Sequence, residues 1–214
     1  MYNSIKNKDE ILQAVRNGLR TTTPLPFPDE RGQISEVLVA PDEDLAFSFA
    51  QNLMEANGKF VYCESAKDAA TALKVLIQEQ QWRHLYSWEK DVQEFLERND
   101  IRERRIGKQL DRAEVGITTC DALIARTGSV LISSRSASGR SLSIFPPVHI
   151  VLAHQKQLCA DIADALQRAQ ATSLRNSASM YSIVTGASRT ADIEKTLVVG
   201  AHGSKELYVF FIDK

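Results

Sequence analysis

Cysteine is scarce in this chain. Three are present in 214 residues, Cys63, Cys120 and Cys159, with no CxxC pair and no histidine at ligand spacing. Structural zinc and iron–sulfur centres draw on closely spaced thiolates and imidazoles, so this scarcity weighs against a metal–thiolate site and leaves three reduced thiols acting as small apolar side chains. An excess of charge is also missing: 26 Lys and Arg face 27 Asp and Glu, for a formal net charge of −1. No bulk field then draws the chain to nucleic acid or to an anionic membrane. Apolar runs long enough to span a bilayer are absent, and "MYNSIKNKDEILQAVRNGL" mixes charges with apolar residues where a signal peptide has a continuous apolar stretch. Together these absences predict a cytoplasmic protein with no nucleic-acid partner and no membrane span.

What is there is an ordinary globular composition, 43% hydrophobic and 25% charged. A chain of this length buries roughly 70% of its unfolded surface and needs neither disulfide nor metal to fold. Ile5, Leu12, Val15 and Leu19 keep a helical period, so residues 4 to 19 read as an amphipathic helix ending near Gly18. "TTTPLPFPDERGQ" follows, an aperiodic proline-rich arm, and residues 1–35 are set apart from an α/β domain over 36–214. From Glu36 short apolar runs alternate with helical segments. "VLVA" (37–40) reads as a strand, "DEDLAFSFAQNLMEANG" as a helix closing at Gly58, "KFVYC" as a strand, "SAKDAATALKVLIQEQ" as a helix capped by Ser65, "HLYSW" as a strand and "EKDVQEFLERND" as a helix. Such alternation predicts a largely parallel sheet with helices on its faces. Denser strand signals at "VGIT", "ALIA" and "SVLIS" predict a hairpin or mixed edge. "VHIVLA" (148–153) is the best buried strand, and "KQLCADIADALQRAQ" the helix after it. Residues 148–152, 181–185 and 207–212 are expected to share one sheet.

Chemistry-bearing residues crowd into "SIVTGASRTADIEKTLVVGAHGSKELYVFF" (182–211). With Tyr181–Thr185 as a strand and residues 191–199 as a helix, "GASRT" becomes a strand-to-helix turn, where a helix N-terminus favours an anion. Gly186 allows close approach, Ser188 and Thr190 offer hydroxyls, and Arg189 can grip a carboxylate or phosphate with two prongs. An anionic ligand is the natural inference. Thr190 reads equally as an N-cap with Asp192 and Glu194 in the first turn, and Ile193 and Leu197, one turn apart, as core. His202 in "GAHG" sits between glycines that favour an exposed ring, suited to anion binding or proton transfer; His202, Asp192 and Glu194 are the catalytic candidates. "GASRT" also approaches the GxSxG nucleophile elbow, but Thr190 replaces its last glycine, and Asp192 and His202 follow Ser188 too closely for a triad.

In "TTCDALIARTGS" (118–129), Thr119 and Asp121 precede an apolar run, and Thr127, Gly128 and Ser129 follow it. Taken locally this is a pair of turns held by side-chain hydrogen bonds. "SGRSLSIFPP" adds Arg140, a second anion anchor, before Pro146 and Pro147.

The runs "GITTCDALIARTGSVLI", "GRSLSIFPPVHIVLA" and "IVTGASRTADIEKTLVVGAHGSKELYVFFID" resemble the LUD-domain family, from about residue 36 onward and most strongly over 116–213. The joint presence of TGxSRTxDIE and GxHG is specific. The resemblance implies a fold like that of sugar-phosphate isomerases and CoA transferases, an α/β three-layer sandwich around a mostly parallel or mixed sheet. It implies a role with two partner proteins in oxidising L-lactate to pyruvate, the iron–sulfur clusters lying in those partners and no cofactor in this chain. By motif it carries ligand-site roles to Thr119, Asp121, Gly128, Ser129, Arg140, Gly186, Ser188, Arg189, Thr190, His202 and Gly203, with Asp192 and Glu194 beside them. Arg126 stands where relatives commonly have an acid, and Ala187 and Ser204 where proline is usual, so the charge of the pocket is open to change.

Two functions follow as expectations: a non-cluster subunit of a lactate-oxidising system that binds a small anion or the partners' surface, or a stand-alone enzyme or binding protein for a phosphosugar or acyl-CoA-type ligand.

Overall fold

The computed structural model describes residues 4–20, 44–101, 110–138, 140–171, 178–193 and 196–213. The chain divides into two compact units, Met1–Val39 and Ala40–Lys214. The first contains α1 (Ser4–Gly18), as the spacing predicts. The arm beyond Arg20 and the strand expected at 37–40 lie outside the described residues.

The second unit begins with α2 (Leu45–Glu55), where the Asp44 carboxylate accepts from the backbone N–H groups of Ala46 and Phe47 at 3.0 and 3.1 Å. That is an N-cap satisfying two of the donors a helix start leaves open. β1 (Lys59–Cys63) leads to α3 (Ala66–Gln80), capped by the Ser65 hydroxyl on the Asp68 N–H as predicted. β2 (Leu85–Tyr86), α4 (Lys90–Arg98) and β3 (Val115–Thr118) follow. The chain continues through β4 (Ala122–Ile124), β5 (Ser129–Ser133), β6 (Val148–His154), β7 (Leu158–Cys159), α5 (Ile162–Ala171) and β8 (Tyr181–Val184). It then forms β9 (Arg189–Ile193), β10 (Thr196–Val199) and β11 (Glu206–Ile212). None of the described helices is long and apolar enough to cross a membrane.

Five strands pair in the order β1-β11-β6-β3-β2, and every pairing is parallel. Because side chains alternate along a strand, this sheet is buried on both faces. Ile150, Leu152, Phe210 and Ile212 pack on one face against Leu73 of α3 and Leu96 of α4. Val151, Ala153, Val209 and Phe211 point the other way, against Phe49 and Leu53 of α2 and Leu123, Val130 and Ile132 of a second sheet. That second sheet runs β7-β4-β5-β8, with antiparallel β4–β5 and β5–β8 pairs and one parallel pair. Its outer face, Ile124 and Leu131, is covered by Ala165 and Ala169 of α5. The architecture is α/β, as expected, with a mixed sheet where helices alone were expected on the second face.

Two expectations are corrected. Residues 148–152 and 207–212 do share a sheet, but 181–184 pair with β5 in the other one. The helix expected over 190–199 is instead an antiparallel β9–β10 hairpin. Ile193 and Leu197 are one helical turn apart, yet the β-branched residues of "TLVV" and Thr190 favour extended backbone. Leu197 is 65% exposed and is not core.

Gly128 fixes how α2 meets the second sheet. It ends a short 3-10 turn with φ of +60°, and a Cβ there would stand 2.1 Å from the backbone nitrogen of Leu53. The Asn52 side-chain amide donates to the carbonyls of Ala125 and Arg126 at 2.8 and 3.2 Å from the same helix. Gly128→Ala combines left-handed strain with a backbone clash and should lower unfolding free energy by more than about 3 kcal/mol, read as a shift in the urea midpoint.

Candidate functional site

Turn chemistry builds the site. β8 ends at Val184, and the chain reverses through Thr185 to Ser188 into β9. Gly186 has φ of +68°, and a Cβ on it would lie 1.9 Å from the Ala56 carbonyl oxygen, so only glycine lets this turn rest on the end of α2. Arg189 completes the contact: its Nη2 donates to the Ala56 oxygen at 2.7 Å, placing a cation where helix carbonyls are left unpaired. On the other side, the Ser188 N–H donates to the Ser204 carbonyl at 2.9 Å and the Gly200 N–H to the Ser188 carbonyl at 2.8 Å. Gly203 leaves only 3.0 Å between an added Cβ and the Ser188 Cβ. The buried Ser204 hydroxyl is placed to donate to the carbonyls of Pro146 and Ser143, at 2.9 and 3.3 Å, which ties the glycine loop to the segment before β6.

These contacts enclose a cavity of about 630 Å³, in the range of small-molecule sites. Its walls are the 182–189 segment, Ser143 and Ile144, Gly203 and Ser204, with Ala56, Leu207 and His149. His149 and Leu207 are the second residues of β6 and β11 and pair with each other in register. The cavity therefore lies at the amino ends of these two parallel strands and beside the carboxyl end of β8, whose following turn, residues 185–188, lines it. With a hairpin in place of the helix, the helix N-terminus invoked for anion binding is not part of the site.

His149 is fully buried. Its Nε2 lies 2.9 Å from the Thr118 hydroxyl, which lies at the same distance from the Thr119 carbonyl and can donate to either. Thr119 in turn donates its N–H and hydroxyl to one carboxylate oxygen of the buried Glu89, at 2.6 and 2.8 Å. Burial pushes the His149 pKa down to about 4, so the ring is neutral at physiological pH. Its Nδ1 and the second oxygen of Glu89 are buried with no hydrogen-bond partner.

Of the residues predicted for the site, Gly186, Ser188, Arg189 and Gly203 line the cavity. Ser129 reaches its wall, 2.6 Å from the hydroxyl of the lining residue Thr185. Thr119 stands behind it through Thr118 and His149. The others are placed elsewhere: Gly128 packs on α2, and Asp121 is paired with Arg135 at 2.8 Å. Arg140 is exposed and donates to the Ser179 hydroxyl at 2.8 Å. His202 is exposed and is not among the lining residues. Thr190 and Asp192 lie on β9, and Glu194 falls outside the described residues. Arg126 does not line the cavity; it pairs with Asp161 at 2.6 Å. Sequence reasoning passed over His149, Thr118, Glu89 and Ser143. A histidine at the second place of the most apolar strand was the available signal for the first.

The LUD domain family model matches residues 47–212. Lactate utilization protein C of Shouchella clausii is 29% identical over 229 aligned positions, spanning 98% of this chain and all of that one. The protein of the same name from Macrococcus caseolyticus is 35% identical over about half of each chain, 49% and 46%. In fold, the crystal structure of a DUF162 family protein from Deinococcus radiodurans matches with a TM-score of 0.59 and 17% identity, covering 82% of this chain and 99% of that one.

The geometry gives Arg189 a structural task that is separable from any ligand. Arg189→Ala should cost about 0.5–1 kcal/mol through loss of the contact at the α2 C-terminus, with Arg189→Lys recovering part of it, both measured by urea unfolding of the free protein.

Proposed function

The chain belongs to the LUD domain family, and from that premise we propose that it serves lactate utilisation as a non-cluster subunit of a system that oxidises L-lactate to pyruvate. The observation that carries this reading is the full-length relation to lactate utilization protein C, which runs through both the cavity walls and the sheet beneath them. In this reading two partner proteins, at least one holding iron–sulfur clusters, carry the electrons. This chain contributes the cavity, where a small anion sits against Arg189 and the 186–188 turn.

The cysteines support that division of labour. Cys63, Cys120 and Cys159 are each buried and belong to β1, the segment after β3, and β7. Burial pushes the Cys63 thiol up to about 11, and burial with the nearby Asp121 and Glu89 carboxylates raises that of Cys120. Thiols held protonated in this way are poor ligands and poor nucleophiles. Arg189 brings a guanidinium, a planar group with five N–H donors, so the contact with Ala56 leaves further donors for a carboxylate.

Deletion of the gene in its native host tests the reading. The expected outcome is loss of growth on L-lactate with normal growth on pyruvate, restored by the wild-type chain and only weakly by Arg189→Ala. Undiminished growth on lactate, in a strain lacking any other lactate oxidase, would overturn it.

A further inference from the structure

We propose that the groove between the β9–β10 hairpin and the start of β11 docks an extended, acidic segment of a partner subunit, its carboxylates meeting Arg189 and Lys205 and its apolar side chains covering Leu197 and Val199. This rests on the subunit reading above and supplies the contact surface which that reading needs.

The starting point is a hairpin face left in water. Among the described residues β9 and β10 pair only with each other, so the edge of β10 over residues 197–199 has no further strand beside it. Leu197 and Val199, two positions apart on β10, share one face of it, yet they are 65% and 47% exposed. Both line a second cavity of about 460 Å³, whose other walls include Lys59, Arg189, Lys205 and Glu206. Arg189 stands directly across the hairpin from Val199. A two-stranded ribbon is marginal on its own, and apolar side chains on its face are stabilised by being covered.

Charge selects what covers them. Lys59 and Glu206 pair at 2.6 Å and cancel, and the Tyr208 hydroxyl donates to the same carboxylate oxygen at 2.9 Å. Among the described residues neither Arg189 nor Lys205 has an acid partner, so the groove carries two uncompensated cations. Lys205 is held at its stem by Gly200, where φ is +75° and an added Cβ would stand 2.2 Å from the lysine Cγ. A second copy of this chain would set like charges against each other. Anionic bilayers are met by clusters of several projecting cations, whereas these two line a recess. A lone small anion would answer the charge and leave Leu197 and Val199 in water. An extended acidic segment answers both, since its backbone can pair along β10 while alternate side chains fall on the groove face. Ala187 and Arg189 line this groove and the larger cavity alike, which puts partner and ligand on one turn.

The test has two arms, both on the full chain. In the first, a short capped peptide of alternating valine and glutamate is titrated against it by amide NMR. Signals of Arg189, Leu197, Val199 and Lys205 should move together, and Lys205→Glu should weaken binding about tenfold. The same peptide with lysine for glutamate should leave them in place, as should phosphatidylserine vesicles. In the second arm the two partner subunits are added, and the amides of residues 197–199 should gain protection from hydrogen exchange. Leu197→Asp, at an exposed position, should keep the urea midpoint and weaken the complex about tenfold or more. Silence of these signals toward the glutamate peptide, an equal response to the lysine peptide or to vesicles, or self-association of the chain that Leu197→Asp abolishes would each overturn the proposal. A complex that forms as tightly with Leu197→Asp would refute this surface and leave the subunit reading standing. Peptide binding with no complex to the partner subunits would do the reverse, leaving the groove as a dock for an acidic segment of another protein.

Discussion

Everything around the cavity depends on how closely backbone can approach the C-terminal end of α2. Two glycines in left-handed conformation, Gly128 and Gly186, press against Leu53 and Ala56, and the Asn52 amide and the Arg189 guanidinium bridge the same surfaces. One turn belongs to the link between β4 and β5, the other to the link between β8 and β9. The end of a single helix thus sets the spacing of both, and with it the width of the space between the 182–189 segment and the strands below. Packing at this density admits no added methyl group, since neither backbone can retreat without unpairing a strand.

Polar groups are arranged with the same economy. Glu89, Thr119, Thr118 and His149 form one buried line from the start of α4 to the cavity. A fully paired line of this kind rigidifies a core, but here both ends are open, one at a carboxylate oxygen and the other at a ring nitrogen. Only the ring lines the cavity.

How much of this was legible in the sequence depended on the range of the interaction concerned. The cap at Ser65 and the alternation of "KFVYC", "VHIVLA" and "LYVFFID" with helices are local signals, and the corresponding elements formed. "RTADIEKTLVV" was ambiguous because apolar residues four apart suit a helix face, while β-branched side chains suit a strand, and pairing of Arg189 with Val199 settled it. The partner of β8 was unreadable, since a short apolar strand carries no label for the sheet it joins. In the site, Gly186, Ser188, Arg189 and Gly203 were found because turn residues announce themselves. His149 was hidden in an apolar run, and Glu89 acts on Thr119 from thirty positions away, a relation no local pattern carries. Arg140 and His202 drew notice by their loop setting and by motif, yet both are exposed and neither lines the cavity.

Strand order has a consequence for how the chain acquires this structure. β11 lies between β1 and β6, so residues 59–63 and 148–154 do not pair with each other, and each pairs with residues 206–212. Until that last segment is synthesised, two apolar strands each present an unpaired edge. The loop that must close to join β1 to β11 spans most of the domain, and parallel pairing over such distances is slow and exposed to aggregation. A nascent chain lacking residues 206–212 has β1 as a lone strand beside the three-stranded piece β6-β3-β2, which makes those seven residues the seam that joins them into one sheet.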